Sequence, residues 1–375
     1  MEQRQGAMEV LGVNQFNNIY CGKKVVITGH TGFKGSWLTL WLTELGAEVT
    51  GIALDPETNP NHWSLLNIQL ENDYRIDIRD YSKLSAAITA TEPDIVFHLA
   101  AQPLVRRSYQ QPLKTWSTNV MGTANLLETC RHMPSVQAIV AITTDKCYAN
   151  HEWPWGYREI DQLGGHDPYS ASKAGSEFVA ASYRSTFFSE PGKPLLATCR
   201  AGNVIGGGDW SEDRLIPDLI HAITANQIPE IRSPYTTRPW QHVLESLSGY
   251  LLLGKRLLEG KRDFAEAWNF GPEPDGNRQV NDILTTMKHH WSAIEWQTTD
   301  IPQPHEANLL YLDSAKARSR LPWHSVWSLE QALRQTVFWY QNWLEQNQII
   351  SLQQLNDYVE QAHKQQIGWV ANAGD

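Results

Sequence analysis

Cysteine is scarce in this chain of 375 residues, which contains only Cys21, Cys130, Cys147 and Cys199. The four are far apart and form no CxxC pair, which excludes a disulfide framework and predicts reduced thiols in a cytoplasmic protein. The sequence also lacks an N-terminal signal segment and any apolar stretch long enough to span a bilayer. We therefore expect a soluble chain with no membrane partner.

Basic runs and metal-binding motifs are missing as well. Lys and Arg number 31 against 41 Asp and Glu, a formal net charge of -10, and this acidic balance argues against nucleic acid as a partner. The 13 histidines form no HExxH or comparable cluster, so we predict no metal site. A chain of this length has room for one large core and a smaller lobe.

A strand, a glycine loop and a helix follow one another near the start of the chain. The apolar run at residues 25–27 leads into Gly29, Gly32 and Gly35, and a helical pattern follows at residues 36–45. Gly29 permits a tight turn, Gly32 lets the backbone approach a pyrophosphate, and Gly35 allows close helix packing. With the helix N-terminus facing the anion, this order predicts a dinucleotide site.

The next predicted strand, residues 48–54, ends at Asp55. A carboxylate at this point accepts hydrogen bonds from an adenosine ribose diol and repels a 2′-phosphate, which favours NAD over NADP. A loop carboxylate before the following proline is the alternative interpretation. Ala100 and Ala101 come directly after the apolar strand at residues 94–99, and their small side chains would let the cofactor lie against the backbone.

Tyr169 and Lys173 lie four residues apart at the start of a predicted helix, residues 170–188, which follows a strand pattern at residues 138–142. They share a helix face, so the ammonium can stabilise a phenolate. A free phenol titrates near ~10, and the cation together with a positively charged nicotinamide would make Tyr169 a base near neutral pH. A chance pair on a solvated helix face is the alternative, and the position after a strand argues against it.

Thr144, Asp145 and Lys146 stand between that strand and that helix. Thr144 would bind the same substrate oxygen as Tyr169. A simple alcohol dehydrogenase needs neither Asp145 nor Lys146, whereas an enzyme that also eliminates water needs an acid for the leaving hydroxyl and a base for an adjacent C–H. The three residues therefore predict oxidation coupled to dehydration.

Strand and helix patterns alternate along the first two hundred residues, which predicts an α/β fold with a Rossmann-type doubly wound parallel sheet. Gly29, Ala100, Thr144 and Gly202 all follow predicted strands, so we expect them to converge on one cleft. Residues 202–210 are rich in glycine and are predicted to be a long flexible loop.

A predicted helix at residues 113–130 contains Asn119, whose amide suits contact with another chain segment or a kink. Farther along, Trp339 and Trp343 are one turn apart and are predicted to line one face of a helix at residues 328–346.

The sheet is expected to be joined to a smaller, mostly C-terminal substrate-binding lobe. The predicted division is residues 22–201 mainly for the NAD-binding Rossmann domain, residues 202–350 mainly for the lobe with some chain crossing back, and residues 1–21 and 351–375 as terminal extensions. In the lobe, Arg238 can bind a diphosphate bidentately. Trp240 or Tyr311 could stack on a base, or pack on neighbouring side chains.

These motifs resemble those of the extended short-chain dehydrogenase/reductase superfamily and, within it, of the CDP-D-glucose 4,6-dehydratases, from about residue 22 to about residue 343. The segments that carry the resemblance are residues 28–37 (TGHTGFKGSW), 144–148 (TDKCY), 169–173 (YSASK), 200–210 (RAGNVIGGGDW) and 238–243 (RPWQHV). The glycine loop and the Tyr-x-x-x-Lys pair mark only the superfamily. Dehydratases of dTDP- or GDP-sugars usually have Asp or Ser and then Glu after the Thr, whereas Asp-Lys matches the CDP-glucose branch. Residues 1–14 depart from the family.

The resemblance implies NAD that stays bound through turnover, CDP-glucose as substrate, and a homo-oligomer, either a dimer or a tetramer. It implies catalytic roles for Thr144, Asp145, Lys146, Tyr169 and Lys173. The positions expected to bind the cofactor are Gly29, Thr31, Gly32, Phe33, Lys34, Gly35, Asp55, Asp77, Ile78, Leu99, Ala100, Ala101, Asn119, Thr143, Tyr169 and Lys173. The positions expected to bind substrate are Gln102, Asn203, Arg238, Trp240 and Tyr311.

In the implied reaction, Tyr169 takes the proton of the sugar C4 hydroxyl while hydride passes to NAD, and the 4-ketone acidifies the C5 hydrogen. Asp145 then protonates the departing C6 hydroxyl, and the hydride returns to C6. Lys146 is either the C5 base or a group that positions a water or the Asp145 carboxylate.

Three alternatives remain open from the sequence. One is another nucleotide-sugar 4,6-dehydratase, and a second is a 4-epimerase, which shares Tyr169 and Lys173 but does not need the Asp-Lys pair. The third is a non-catalytic NAD-binding scaffold, which has no reason to keep Thr144 together with Tyr169 and Lys173.

Overall fold

The computed structural model describes residues 13–231, 233–298 and 309–372. The strands in this part of the chain are β1 (Val13–Gln15), β2 (Lys24–Thr28), β3 (Glu48–Ala53), β4 (Asn72–Arg75), β5 (Ile95–His98), β6 (Ala138–Ile142), β7 (Leu195–Ala201), β8 (Asn203–Ile205), β9 (Glu230–Ile231), β10 (Thr237–His242), β11 (Ala267–Phe270), β12 (Asn277–Gln279), β13 (Gln297–Thr298) and β14 (Val370–Asn372). The α-helices are α1 (Phe33–Glu44), α2 (His62–Leu66), α3 (Tyr81–Thr91), α4 (Val105–Gln110), α5 (Pro112–Trp116), α6 (Gly122–Arg131), α7 (Pro168–Thr186), α8 (Leu215–Thr224), α9 (Val243–Leu258), α10 (Val280–His290), α11 (Ala315–Arg320), α12 (Leu329–Gln346) and α13 (Ser351–Lys364).

In the described part of the chain, seven parallel strands form the central sheet in the order β11-β7-β6-β5-β2-β3-β4. Strands β5, β6 and β7 are buried along their whole length, as expected when helices cover both faces of a parallel sheet. The direction of strand order reverses between β2 and β5, and ligands bind in the crevice at such a point. The predicted doubly wound sheet is confirmed.

Two hydrophobic layers hold the sheet. On one face the strands pack against α3, α6 and α7. On the other face a larger cluster joins α1, α9, α12 and α13, and it contains the fully buried side chains of Trp37, Trp41 and Trp339. Trp339 is buried and Trp343 packs against the same cluster, so the prediction that they line one helix face is confirmed.

Beyond β7 the chain builds smaller sheets and then returns to the central one. Strand β10 pairs with β8 in parallel and with β12 antiparallel, and β9 pairs with β13. Strand β11 is the outermost strand of the central sheet, next to β7, and α9 packs against β6 and β7. These two elements bring residues of the C-terminal half back to the central sheet.

The prediction of a long flexible loop at residues 202–210 is wrong, because this segment contains β8 and is tightly packed. A Cβ added at Gly207 would lie 1.9 Å from the ring of Trp339, and one at Gly208 would lie 2.4 Å from the ring of His62. Trp210 is 3% exposed. The glycines here allow close approach of aromatic rings and do not provide freedom of the backbone.

The predicted helix at residues 113–130 is interrupted. It consists of α5, a π-helical turn at Ser117–Met121 and α6. Within the turn, Asn119 Oδ1 accepts a hydrogen bond from the Gln102 N–H at 2.8 Å, and Nδ2 donates to the Gln102 carbonyl at 3.1 Å and to Ser172 Oγ at 2.9 Å. The prediction that this amide contacts another segment is confirmed, and it binds the backbone that follows β5 to helix α7.

The two terminal segments pair with each other. Strand β1 is antiparallel to β14, with Gln15 opposite Val370. Phe16 stacks on Trp369 with ring centroids 5.0 Å apart, and the indole of Trp41 in α1 donates to Gln15 Oε1 at 2.9 Å. These segments, predicted as extensions, therefore complete the hydrophobic layer beneath α1.

All four cysteines are free and lie in the described part of the chain, three of them buried. Among the described helices, none combines the length and the apolar character that crossing a membrane requires.

Candidate active site

A cavity of about 1180 Å³ runs along the carboxyl ends of the central strands. It is larger than the ~300–1,000 Å³ usual for a single small ligand, so a dinucleotide and a second nucleotide could occupy it together. The residues named from the sequence that line it are Gly29, Thr31, Gly32, Phe33, Lys34, Gly35, Asp55, Asp77, Ile78, Leu99, Ala100, Ala101, Gln102, Thr143, Thr144, Asp145, Lys146, Tyr169, Lys173, Asn203, Arg238 and Trp240.

The glycine loop has the shape that a pyrophosphate site needs. Gly29 has φ +79°, and a Cβ there would lie 2.7 Å from the Ala100 nitrogen, so β2 and β5 approach closely at this point. A Cβ at Gly35 would lie 2.1 Å from the Gly29 carbonyl oxygen. A Cβ at Gly32 would meet only that oxygen, at 3.4 Å, so the backbone before α1 is open to the cavity. The loop and the helix N-terminus together fit a dinucleotide diphosphate.

The acidic groups that line the cavity after β3 and β4 are paired with arginines. The Asp55 side chain is 85% exposed and accepts from Arg75 Nε at 3.0 Å, while Arg75 also binds Asp73. Hydrogen bonds from Arg79 hold the pKa of Asp77 below its usual value, although partial burial opposes this. Asp55 thus lies at the edge of the cavity with an arginine beside it, an arrangement that the sequence alone did not indicate.

Thr144, Asp145 and Lys146 form a tight turn directly after β6. Residues Asp145–Cys147 make one 3-10 turn, and Thr144 caps it by accepting from the Lys146 N–H at 3.4 Å. Thr144 Oγ1 donates to Asp145 Oδ1 at 2.9 Å, and Lys146 Nζ lies 3.6 Å from the same oxygen. Asp145 is 1% exposed, whereas the Lys146 side chain is 31% exposed. A hydroxyl, a carboxyl and an ammonium group therefore meet within one turn.

Tyr169 and Lys173 come from the first turns of α7, which begins with Asp167 accepting from the Ser170 N–H at 2.9 Å. Burial raises the pKa of Tyr169 to about 12, and a hydrogen bond with Thr144 opposes the shift. Burial lowers the pKa of Lys173 to about 8, and its Nζ donates to the Ile142 carbonyl at 3.2 Å. Tyr169 and Thr144 are thus in direct contact beside a buried ammonium group.

Two further cations reach this part of the cavity. Burial lowers the pKa of Lys34 to about 7, helped by Arg214, and Lys34 Nζ donates to Tyr250 Oη at 3.3 Å. Arg214 Nη1 donates to Asp209 Oδ2 at 2.8 Å, and the charge of Arg214 opposes the rise in the pKa of Tyr169.

Sequence reasoning missed Arg214, which no motif marks. The sequence feature that could have indicated a role for Arg214 is its position directly before α8. A cation at a helix N-terminus is electrostatically unfavourable, so its presence there points to another interaction.

The expected substrate positions differ in their surroundings. Arg238 on β10 and Asn203 on β8 line the cavity, and Asn203 is in register with Trp240. Trp240 is 5% exposed and its indole donates to the Arg278 carbonyl at 3.2 Å, which favours the packing interpretation over stacking on a base. The Gln102 side chain is hydrogen-bonded to Leu104 and Thr115, and its backbone N–H and carbonyl are hydrogen-bonded to Asn119. Gln102 therefore lines the cavity with its polar groups engaged within the protein.

Two expected positions lie outside the lining of the cavity. Asn119 and Tyr311 are both described, and neither lines the cavity. The Asn119 amide is consumed by Gln102 and Ser172, so it shapes the wall from outside. The Tyr311 hydroxyl donates to the Pro154 carbonyl and its ring packs beside Gly156, so it braces the loop after Tyr148.

Comparisons with known proteins agree with this geometry. Residues 26–336 match the family described as GDP-mannose 4,6 dehydratase. A CDP-glucose 4,6-dehydratase from Salmonella typhimurium is 49% identical over 350 residues, which cover 91% of this chain and 98% of that protein. A dTDP-glucose 4,6-dehydratase of the same organism is 26% identical over 86% of this chain and 98% of its own length. The crystal structure of a dTDP-glucose 4,6-dehydratase from Streptomyces venezuelae, with NAD bound, shares the fold at 23% identity and a TM-score of 0.72, covering 86% of this chain and 99% of that one.

A doubly wound sheet with a glycine loop at its reversal point and a Tyr-x-x-x-Lys pair in the same cleft defines the extended short-chain dehydrogenase/reductase class. The chain belongs to the GDP-mannose 4,6 dehydratase family. The resemblance drawn from the motifs is thereby confirmed.

Proposed function

We propose that the protein is an NAD-dependent CDP-D-glucose 4,6-dehydratase that converts CDP-glucose to CDP-4-keto-6-deoxy-glucose. The observation that carries the proposal is the Thr144-Asp145-Lys146 turn, which lies in the same cavity as the glycine loop and Tyr169. The choice of CDP-glucose is supported by the 49% identity to a protein of that name, against 26% for a dTDP-glucose enzyme.

The glycine loop fits NAD, which would be held by the backbone around Gly32, by Asp55 at the ribose and by Ala100 along the β5 side. When bound, NAD supplies the acceptor for the C4 hydride and the donor for its return to C6.

Oxidation at C4 is assigned to Tyr169, Thr144 and Lys173. Tyr169 accepts the proton of the C4 hydroxyl, and Thr144, in contact with the phenol, hydrogen-bonds the same oxygen. Because burial raises the pKa of the phenol, the base form of Tyr169 depends on positive charge nearby. Arg214 opposes the rise in the pKa of Tyr169, and we assign the same effect to Lys173, one turn farther along α7.

Loss of water is assigned to the turn that follows. Asp145 donates a proton to the departing C6 hydroxyl. Lys146 Nζ, 3.6 Å from Asp145 Oδ1, either orients that carboxyl or, when unprotonated, removes the C5 proton.

We place the protein in the cytoplasm on the ground that its four thiols are free. We also propose a homo-oligomer, because apolar side chains are exposed together on α5 and α7.

The test is incubation of the purified protein with CDP-, dTDP-, GDP- and UDP-hexoses, with mass spectrometry for loss of one water. CDP-glucose should give the dehydrated 4-keto product, and Tyr169→Phe should give none while still binding NAD. Conversion without loss of water would indicate a 4-epimerase, and a preference for another nucleotide would refute the CDP assignment. Normal turnover by Tyr169→Phe would refute its role as the base.

A further inference from the structure

A buried ion pair lies behind the catalytic turn. Glu177 is one turn after Lys173 in α7, and Arg200 is on β7; each side chain is 3% exposed, and Arg200 Nη2 lies 2.8 Å from Glu177 Oε2. Burying two charges is costly unless geometry and hydrogen bonds compensate for it. The pair therefore calls for an explanation in terms of what it touches.

The Glu177 carboxylate is fully hydrogen-bonded. It accepts from Thr143 Oγ1, from Thr198 Oγ1 at 2.8 Å and from Arg200 Nε at 3.0 Å, in addition to Nη2. Burial alone raises the pKa of Glu177, but the charge and hydrogen bonds of Arg200, with the two threonines, outweigh it and leave the pKa below its usual value. Glu177 is thus ionised in the interior of the protein.

Arg200 connects the pair to the far end of the catalytic turn. Its Nη1 donates to Tyr148 Oη at 2.7 Å, and Tyr148 Oη donates to Asn269 Oδ1 at 2.9 Å. Thr143 directly precedes the segment that carries Thr144, Asp145 and Lys146, and Tyr148 ends it. The ion pair therefore holds this segment on both sides.

Lys173 is the nearby group whose charge the reaction needs. Burial lowers its pKa to about 8, and the charge of Glu177 is the largest effect that opposes this fall. Lys173 Nζ itself donates to the Ile142 carbonyl, which carries no full charge. Without Glu177 the ammonium would be less stable still, and Tyr169 would lose a neighbouring cation.

We propose, on the basis of the proposed function, that Glu177 and Arg200 are positioning residues: the pair fixes the turn that presents Thr144, Asp145 and Lys146, and Glu177 places a carboxylate one helical turn from the Lys173 ammonium. Neither residue touches the cavity that would hold the substrate, so both act through their neighbours.

The test uses the full chain with NAD and three variants. Glu177→Gln alone leaves Arg200 as a buried unpaired charge and can prevent folding, so Glu177→Gln combined with Arg200→Met removes both charges at once. Glu245→Gln is the matched control, because Glu245 is another buried helical carboxyl group, 1% exposed and hydrogen-bonded by Tyr358, and it is not among the groups that affect the pKa of Lys173.

Two measurements are made on each variant. The first is the titration midpoint of Lys173 Nζ by nitrogen-15 NMR of labelled lysine, assigned with Lys173→Met and recorded without sugar. The second is the alkaline limb of the pH profile of kcat/KM, which reports groups of the free enzyme. In the double variant we expect both to move to lower pH by about one unit, and in Glu245→Gln we expect neither to move.

An unchanged midpoint in a folded double variant overturns the proposal, as does a lowered midpoint with an unchanged alkaline limb. If the midpoint falls but the wild-type protein converts no CDP-glucose, the effect of Glu177 on Lys173 stands and the proposed function fails. If the folded double variant has the same kcat/KM as the wild-type protein, the Glu177–Arg200 pair contributes to folding alone.

Discussion

The two carboxylate oxygens of Asp145 have different surroundings. Oδ1 is 2.9 Å from Thr144 Oγ1 and 3.6 Å from Lys146 Nζ. Oδ2 faces Gly202, where an added Cβ would lie only 3.1 Å away. Thr144 and Lys146 thus hold one oxygen, and the absence of a side chain at Gly202 leaves room for the other.

Asp145→Asn should separate oxidation from dehydration. Since Thr144, Tyr169 and Lys173 are unchanged, the first hydride transfer should proceed, and NADH absorbance should rise and persist after rapid mixing with CDP-glucose. Product formation should fall by ~10²-fold or more, because an amide is not an acid for the leaving hydroxyl. Wild-type turnover would exclude Asp145 as the required acid.

Lys146→Met tests the other half of the turn in the same experiment. Retained exchange of the C5 hydrogen with solvent deuterium, together with blocked product formation, would show that Lys146 is not the sole base. Loss of exchange would assign it that role.

The preference for NAD over NADP should depend on Asp55 and Arg75 acting together. Asp55→Asn should weaken NAD by roughly tenfold, since a charge-assisted hydrogen bond to the ribose diol is lost. It should also strengthen NADP, because Arg75, now 3.0 Å from an uncharged partner, can attract a 2′-phosphate. Binding titrations of both cofactors measure this, and adding Arg75→Ala should remove the gain. An unchanged NAD/NADP ratio would place the discriminating group elsewhere.

At the scale of residues, the sequence predicted side chains that stand in motifs and missed those that act by proximity. The turn at Thr144 directly follows β6, and parallel strands bring their carboxyl ends to one edge. Tyr169 and Lys173 are marked by their spacing of four residues at the start of α7. Arg214 reaches the cavity from the loop before α8, and Glu177 lies buried behind it on α7; no spacing rule marks either residue. Tyr311 had the right residue type, but a backbone carbonyl at Pro154 takes its hydroxyl.

Helices α9 and α13 are joined through a buried carboxyl group. Glu245 in α9 accepts from the Val326 N–H at 3.0 Å, the Trp327 N–H at 2.8 Å and the Tyr358 hydroxyl of α13 at 2.8 Å. Burial nevertheless raises the pKa of Glu245 to about 7 against these hydrogen bonds. The group therefore takes up its proton more readily in the folded state than in the unfolded state.

The stability of this contact should depend on pH. An acid whose pKa is raised by folding contributes most stability below its unfolded pKa, near ~4.3, and loses it as pH rises through the folded value. The free energy of unfolding should fall by about 3 kcal/mol between about pH 4.5 and pH 7 because of Glu245. Urea unfolding at several pH values, compared with Glu245→Gln, measures this, and equal pH slopes in both proteins would contradict it.

At the scale of elements, periodicity predicted the central sheet because strands such as β5 and β6 are apolar along their whole length. Periodicity did not predict β8, because a strand of three residues between glycines is too short to show alternation of apolar and polar side chains. Its pairing with β10 joins distant parts of the chain, which a local pattern does not reveal. Periodicity also did not predict the π-helical turn at Ser117–Met121. The wider turn goes with the hydrogen bond between Asn119 and Gln102, which is a contact between two separate segments.

Exposed apolar side chains lie on α5 and α7, two helices that pack against each other. Leu113 is 84% exposed, Trp116 41% and Phe178 59%, and the ring of Trp116 lies beside Gly175 of α7. A contiguous apolar surface of this kind on adjacent helices suits association with a second copy of the chain.

Leu113→Lys with Phe178→Lys should convert the proposed dimer to monomers, weakening association by about 2 kcal/mol or more. Sedimentation velocity over a range of protein concentrations measures the equilibrium. Phe338→Lys is the control, because this residue of α12 is also exposed, 43%, but lies on another helix. A wild-type protein that is monomeric throughout, or a dimer that survives the double change, would contradict the assignment.

The antiparallel pairing of β1 with β14 places the two ends of the described part of the chain side by side. Val13 is opposite Asn372, and paired residues in an antiparallel ladder have Cα atoms only about 5 Å apart. Gly192, in the exposed turn between α7 and β7, has no neighbour within 4 Å of an added Cβ. A circular permutant that joins residues 13 and 372 by a short linker and opens the chain at Gly192 should therefore keep the same central sheet. In that permutant, β7 and β11 would be synthesised before β2 to β6.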